Sequence, residues 1–385
     1  MAGGRATPPL LKDLNERTVL EAIRTGAPIS RAEISRLVGI SKPTVSQALQ
    51  SLLDSGLVRE AEPAGDGPSY GATFFEPVSE AAFALGLDLG VHFVRGAVCD
   101  VRGEIRARQD IELPEPTADA ALEAIDVLAA SLLLAAGVSE DALDGVVLGV
   151  PGAVDVRTSR IYLATNIARL EQDGFGSAVG ARLGHAVRIE NDINLAALGE
   201  RWRGVARGVD DFAFISIGTG LGAGIVLHGE LHRGHNGSAG ELDYARVGLS
   251  EDIDPCAEAL ALFAHGLGAP EDTRTLFAQA RTGDSLALRV VDEEARRIAL
   301  HIAPIAAVTD VGLVVLGGGI GTNGGDLLYD RIRTQLAAWL PTPPRVEGSS
   351  LGDAAVLTGA LAVGLRAARE NVFVNRRARA FGSTS

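Results

Sequence analysis

The chain has 385 residues, 46% of them apolar, and a formal net charge of −14. This length suits about two or three domains with a sizeable core, and the acidic balance excludes a protein coated along its whole surface with nucleic acid. No run approaches the roughly twenty apolar residues of a membrane span, and the opening "MAGGRATPPLLKDL" lacks the apolar core and cleavage pattern of a signal peptide. Two cysteines, Cys99 and Cys256, are too few for a disulfide framework or a four-cysteine metal site. A cytoplasmic protein is expected.

Residues 10–59 carry seven Lys/Arg and five Asp/Glu, a mildly basic head on an acidic body. In "LKDLNERTVLEAIRTG", Leu14, Val19, Leu20 and Ile23 form a helical stripe that Gly26 ends. Ser30 and Glu33 have the spacing of a capping box, and Ile34, Leu37 and Val38 give the next short helix its apolar face. Gly39 makes a tight turn. Ser41 caps a third helix that tolerates Pro43 in its first turn, with Val45, Leu49 and Leu52 on one side. Two short helices about a glycine turn, the second opening with small polar residues, predict a helix-turn-helix. "GLVREAEPAGDGPSYGATFFEPV" adds a hairpin wing with strands at Leu57–Glu60 and Ala72–Phe75. An ordinary small helical bundle would not place turn, cap, proline and wing in this order.

Lys42, Thr44, Ser46 and Gln47, at the start of the third helix, are the expected base readers. Gln pairs bidentately with adenine, while Ser and Thr select less. Arg31, Arg36 and Arg59 are phosphate candidates; each also reads as a solvated surface charge.

Further along, "FALGLDLGVHFVRGAVCDVRGEIRARQDIEL" divides into three strands at turns on Gly90 and Arg102-Gly103. "ALEAIDVLAASLLLAAG" is a helix, and "LDGVVLGVPGAVD" is a buried strand entering a Pro-Gly turn. "DDFAFISIGTGLGAGIVLHGELHRG" repeats the strand, glycine turn, strand pattern. "VGLVVLGGGI" is another buried strand and turn, followed by a helix near Leu327–Leu340, a rigid connector "PTPPRV" and a long helix in "LGDAAVLTGALAVGLRAAREN". The recurrence predicts two similar α/β lobes flanking a cleft, the usual place for a ligand.

In "LGVPGAVD", "ENDINLAALGE", "SIGTGLGAGIV", "GSAGELDY", "VVLGGGI" and "LGDAAVLTGAL", taken in order over residues 81–370, the body resembles the ROK family of bacterial sugar kinases and sugar-responsive repressors. The winged head matches the family's repressor branch. The resemblance implies an α/β fold: an N-terminal winged helix-turn-helix followed by a two-lobed actin/hexokinase-like ATPase fold. It also implies that Asn191 and Asp192 bind sugar hydroxyls, with Asp192 at the position of the kinases' general base. Asn166 in "YLATNI" stands where another sugar-binding Asn is expected, and Glu241 in "AGELDY" where a Glu binds hydroxyls near the anomeric carbon. Amides and carboxylates suit the paired geometry of neighbouring hydroxyls. Helix capping is the competing reading of Asn191.

The chain departs from the kinase pattern in three places. The opening phosphate loop D-x-G-G-T-K reads "DLGVHF": Asp88 and Gly90 remain, but Val91, His92 and Phe93 replace Gly, Thr and Lys. That removes a hydroxyl and a cation from a site that works by positioning and charge stabilisation. Tyr244 stands where the family has a zinc-binding, sugar-contacting His. The family's multi-cysteine zinc loop has shrunk to "DIDPCAEAL", where Cys256 and Glu258 match the final Cys and Glu. One cysteine cannot build a tetrahedral zinc site, so no metal and no cofactor are expected. Tyr244 and Glu258 remain sugar-contact candidates. "SIGTGLGAGIV" and the "LGGGI" at 316–320 keep the nucleotide-side glycines, which sheet turns also need.

These observations favour a sugar-responsive regulator that is not an enzyme. Its expected partners are operator DNA, a sugar or sugar derivative in the cleft, and a second copy of itself, as a homodimer or higher homo-oligomer reading half-sites about one DNA turn or multiples apart. The rival is a ROK-type sugar kinase with an attached DNA-binding head; a third reading is a constitutive binder that has lost its effector. The expected divisions are a flexible start at 1–9, the winged head at 10–78, a first lobe at 79–190 completed by 351–370, a second lobe at 191–350, and a frayed tail at 371–385.

Overall fold

The computed structural model describes residues 8–63, 72–155, 157–245, 247 and 254–382. The first residues of the expected flexible start, the wing tip at 64–71, part of the shrunken cysteine loop and residues 383–385 lie outside them.

The head runs α1 (Pro8–Gly26), β1 (Ile29–Ser30), α2 (Arg31–Val38), α3 (Lys42–Asp54), β2 (Val58–Ala61) and β3 (Phe74–Pro77), with the strands ordered β1-β3-β2. Local chemistry sets its boundaries. The Ser30 side chain accepts from the Glu33 amide while Glu33 reaches back to the Ser30 amide at 2.9 Å, closing the capping box. Gly39 ends α2 in the left-handed region at φ 68°, and Ser41 caps α3. Val19, Leu20, Ile23, Ile34, Val45, Leu49 and Leu52 are buried. Leu14 and Leu37 are not: they are 59% and 64% exposed. α2 packs on its neighbours along the side of Ile34 and Val38, and Leu37 falls one step round the helix from that line.

The body contains two sheets of the same design. In the first, β4 (Phe83–Leu89), β5 (Phe93–Asp100) and β6 (Ile105–Glu112) form an antiparallel meander, and β7 (Leu143–Val150) and β10 (Val187–Asn191) extend it in parallel from β4. A small hairpin, β8 (Ala153–Asp155) with β9 (Arg160–Tyr162), follows β7. In the second, β11 (Phe212–Ile217), β12 (Leu221–Leu227) and β13 (Glu230–Leu231) form the meander, and β14 (Leu313–Gly317) and β15 (Arg345–Gly348) extend it in parallel from β11. β15 begins inside the stretch expected to be a plain connector and runs two residues beyond it. Helices α4 (Ala118–Ala136) and α5 (Phe175–Leu183) cover the first sheet. α7 (Ala257–Leu267), α8 (Thr273–Arg281), α9 (Ser285–Thr309) and α10 (Gly318–Trp339) build the second lobe, each lobe having its own apolar cluster.

Between the lobes, α6 (Asp192–Arg203) packs against the last helix, α11 (Ala355–Gly382). The approach is close because glycines face backbone: a Cβ at Gly359 would run into the Leu195 carbonyl, and one at Gly199 into the Ala355 carbonyl. α11 returns across β4 and β7 of the first sheet.

The last helix also differs from the expected frayed tail. It continues to Gly382, and Val372 and Phe373 are buried in one apolar cluster with Val19, Leu20 and Ile23 of the head and with Ala82, Ala84, Ala97 and Cys99 of the first sheet. The Arg17 guanidinium lies 4.7 Å from the centre of the Phe373 ring. Head and body therefore share a core. Among the described residues no helix is long and apolar enough to cross a membrane.

Candidate functional site

The parallel neighbours β7 and β10 end at Val150 and Asn191, so the Pro151-Gly152 turn and the start of α6 stand side by side. Crevices at the carboxyl ends of parallel strands are where such sheets bind ligands. Asn191 caps α6: its Oδ1 accepts from the Asn194 amide at 2.8 Å. Its Nδ2 donates to the Gly152 carbonyl at 2.9 Å and to Asp192 Oδ1 at 3.1 Å. Capping is thus the role the geometry gives Asn191, which spends both N–H groups inside the protein.

Asp192 is the first residue of α6. Its Oδ1 also accepts from the Ile193 amide at 2.8 Å; Oδ2 takes no hydrogen bond from the described residues. Burial, and then the charge of Asp88, push the Asp192 carboxyl up to about 7, with Glu241 adding to the effect and the Ile193 amide opposing it. Burial and neighbouring Asp243 raise Glu241 as well. Two carboxylates from other chain segments, Asp88 and Glu241, therefore both act on Asp192. Such a cluster welcomes hydrogen-bond donors, and a polyhydroxylated ligand supplies them.

A second, largely buried network adjoins the start of α6. Glu190, 1% exposed, accepts from the Nε and Nη2 of Arg233 at 2.8 and 2.7 Å through Oε2. Its Oε1 accepts from Asn194 Nδ2 and from the Asn191 amide. Arg233 follows β13, so this charge-assisted pair, with two nitrogens on one oxygen, ties the second lobe to the site strand of the first. Glu190 belongs to the quoted "END" motif, yet the sequence reading assigned roles only to its Asn and Asp. An acidic residue ending a buried strand was the available signal.

The remaining sugar candidates are more peripheral. Asn166 is exposed in the loop after β9, two residues beyond Ala164, against which a Cβ on Gly152 would press. Tyr244 and Glu258 are exposed, and among the described residues neither shares a hydrogen bond or ion pair with Asn191, Asp192 or Glu241. The acidic neighbour of Tyr244 carries the local structure: Asp243 Oδ1 accepts from the Leu221 amide at 2.8 Å and holds the turn between β11 and β12. Glu258 sits in the first turn of α7, where its charge complements the helix dipole. The residues present do not suit zinc. Cys256 is the N-cap residue of α7, Tyr244 is no thiolate or imidazole, and no group of three His, Cys, Asp or Glu among the described residues is placed to hold a metal.

At the other end of the cleft Asp88 is the penultimate residue of β4. Its Oδ2 lies 3.3 Å from Arg95 Nη1, because the turn pairs Asp88 directly with Arg95 across β4 and β5. Burial pushes Asp88 up to about 6, against the pull of Arg95. The turn is closed by the Gly90 amide donating to the Phe93 carbonyl at 2.9 Å, and Phe93 is exposed beneath the Arg95 guanidinium. An aspartate already paired with a guanidinium, beside Val91, His92 and Phe93, does not fit a Mg²⁺-phosphate group.

In the head, Lys42 and Gln47 are exposed on the first two turns of α3 without a side-chain partner among the described residues. Thr44 is tied to Ser41 at 2.8 Å. Ser46 donates to the Lys42 carbonyl at 2.9 Å and accepts from Arg31 Nη1 at 3.1 Å, so its hydroxyl is engaged at both ends. Arg36 is exposed, whereas Arg59 Nε meets Glu76 Oε1 at 2.7 Å across β2 and β3. A cleft of about 390 Å³ between α3 and the wing is lined by Arg31, Lys42 and Ser46.

The architecture is a winged helix fused to a two-lobed sugar-kinase-like body. The ROK family model matches residues 84–366, and a MarR family model matches residues 13–67. The chain belongs to the ROK family. It is 26% identical to the xylose repressor of Caldicellulosiruptor bescii over 92% of this chain and 96% of that one. It is 30% identical to the glucokinase of Streptomyces coelicolor over 72% of this chain and 95% of that one. A crystal structure of a ROK family transcriptional regulator, a homologue of the E. coli MLC protein, superposes with a TM-score of 0.78 at 22% identity, covering 95% of this chain and 98% of that one.

Proposed function

We infer that this protein is a sugar-responsive transcriptional repressor: the head binds operator DNA, and a sugar held at Asp192 and Glu241 between the lobes changes that binding. It does not phosphorylate the sugar. The observation that carries this reading is the contrast within one cleft, an available carboxylate at Asp192 and an aspartate at Asp88 already occupied by Arg95. The repressor relatives, similar over nearly the whole chain including the head, support it.

Asn166 adds an amide at the rim, Asn191 positions Asp192 by capping α6, and Tyr244 and Glu258 are left aside. In the head, Lys42, Thr44 and Gln47 face bases while Arg31 and Arg36 take phosphates. Ser46 orients Arg31, and Glu76 withholds Arg59. The chain acts as a homodimer or larger assembly, so that two heads meet two half-sites.

A sugar that draws the lobes together displaces Arg233 against Glu190 and moves α6. α11, packed on α6 and sharing a core with α1, passes that movement to the head. A ligand does this only by binding one lobe arrangement better than the other. Because a full-length relative is a xylose repressor, xylose is the first effector to test. The experiment measures binding of the full chain to an operator selected from a random DNA pool, with graded xylose and other free sugars. Release of DNA by at least one sugar is expected. Operator binding that no sugar alters would defeat the reading.

A further inference from the structure

Two cavities meet along α6 and α11. One, of about 430 Å³, is lined by Arg201, Arg207, Arg233 and Arg366 together with the β12–β13 turn. The other, of about 440 Å³, is lined by Arg17 and Arg24 of α1 and by Arg366 and Arg369 of α11. They share Trp202, Ala362 and Arg366, so they form one groove that touches the second lobe, both central helices and the head. Its walls hold seven arginines and three glutamates, in a chain whose net charge is −14.

Five of these arginines are engaged within the protein: Arg24 meets Glu21, Arg201 Nη2 meets Asp210, Arg233 meets Glu190, Arg369 donates to the Val101 carbonyl and Arg17 lies over the Phe373 ring. Arg207 and Arg366 have no ion pair among the described residues and are exposed. Arg201 Nε and Arg24 Nε are buried with no acceptor. Buried polar groups are rarely left so, because an unmet donor costs free energy that an incoming acceptor recovers. Burial and the nearby charge of Arg369 bring Arg24 down to about 10. Cations crowded in this way favour an anion between them.

We propose that this groove binds a small organic phosphate, a phosphate ester of one or two phosphoryl groups, at a site separate from the sugar cleft. Arg207 and Arg366 are its free guanidinium forks. Arg forks match the oxygens of a phosphoryl group bidentately, and the apolar stems of Leu198, Leu231 and Val363 leave room for a carbon skeleton beside them. Because α1 and the β12–β13 turn border the same groove, an occupant contacts head and second lobe at once, and its binding is coupled to theirs.

The test is direct titration of the full chain with a hexose bisphosphate, a hexose monophosphate and inorganic phosphate, followed by calorimetry and by Trp202 fluorescence. Trp202→Phe identifies that signal against Trp339. The bisphosphate is expected to bind more tightly than the monophosphate, and the monophosphate more tightly than inorganic phosphate. Arg207→Gln and Arg366→Gln should each weaken binding about tenfold or more, the order expected for a lost charge-assisted hydrogen bond. Arg366→Lys should restore part of it, and Asp192→Asn should leave it unchanged. Circular dichroism and thermal unfolding of the variants establish that they fold. Absence of saturable binding would overturn the site, as would equal affinity for all three probes or loss of binding in Asp192→Asn. If Arg207→Gln and Arg366→Gln lower operator affinity with no phosphate ester present, the groove contacts DNA phosphates and the proposal is likewise wrong. Because the readout is binding rather than repression, failure here leaves the sugar-response reading untouched.

Discussion

The two ends of the cleft hold their aspartates in opposite ways. At the sugar end, Asn191, Asp192 and Glu190 are held by a dense set of hydrogen bonds in which one oxygen of Asp192 stays available. At the phosphate end the aspartate is just as deeply placed, but Arg95 sits on it and bulky side chains surround the turn. Binding a sugar hydroxyl and abstracting its proton begin with the same contact; only the second also needs a phosphoryl donor held in line. On the proposed function, the comparison teaches that recognition and catalysis are separable when the two tasks are supported by different strands.

The largest expected effect concerns turnover. Kinases of related chemistry turn over at about 1–100 s⁻¹; this protein should show no sugar-dependent ATP hydrolysis above background in a coupled assay. Restoring the loop by Val91→Gly, His92→Thr and Phe93→Lys together should not bring it back while Arg95 still pairs with Asp88. Kinase-like turnover by the wild type that vanishes in Asp192→Asn would erase the contrast between the two ends.

Next in size is the sugar response. Asp192→Asn should leave operator binding near wild type while moving the effector curve by about one to two decades, since a hydrogen bond to a charged group contributes roughly 1.5–3 kcal/mol. A variant that lost DNA binding and sugar response together would show that Asp192 supports the fold rather than the ligand.

The route from cleft to head gives a smaller effect on stability. Gly359→Ala must push α11 away from the Leu195 carbonyl, at a cost of about 1–3 kcal/mol, so its unfolding temperature should fall by several degrees. Its operator affinity should also respond less to sugar than that of wild type. Gly319→Ala, whose added Cβ meets nothing, is the control and should retain both properties. Unchanged coupling in Gly359→Ala would remove α11 from the route.

Much of this was written locally. The caps at Ser30 and Ser41 follow from residue chemistry, the two similar lobes from a repeated strand and glycine-turn pattern, and the site strand from the ordered motifs. What escaped depends on distant partners. Val372 and Phe373 sit in a basic stretch that reads as a tail until α1 is laid against it. β15 hides among prolines because its partner β14 lies some thirty residues away. The arginines of the groove along α6 and α11 come from four separate segments, and no periodicity links them. The Asp88–Arg95 pair is readable in the sequence, since a tight turn after Leu89 sets a hairpin register that places those residues opposite one another.

The smallest and sharpest test uses pH. Asp192 is pushed up to about 7 from an ordinary value of 3.8, mainly by burial. The folded protein therefore holds this proton over a range in which the unfolded chain has released it. Stability contributed by the protonated group is fully present below pH 4 and is lost as pH rises through about 7. Without sugar, the unfolding temperature of the wild type should fall more steeply from pH 5 to pH 8 than that of Asp192→Asn, which has no such proton to release. Sugar affinity should run the other way, strengthening as Asp192 ionises and becomes the better acceptor. Asp88 shares the first trend, since it is raised to about 6, so the difference between wild type and variant isolates Asp192. Identical pH slopes in the two proteins would mean that the carboxyl is ionised throughout, and that the sugar end of the cleft is more open to water than its burial implies.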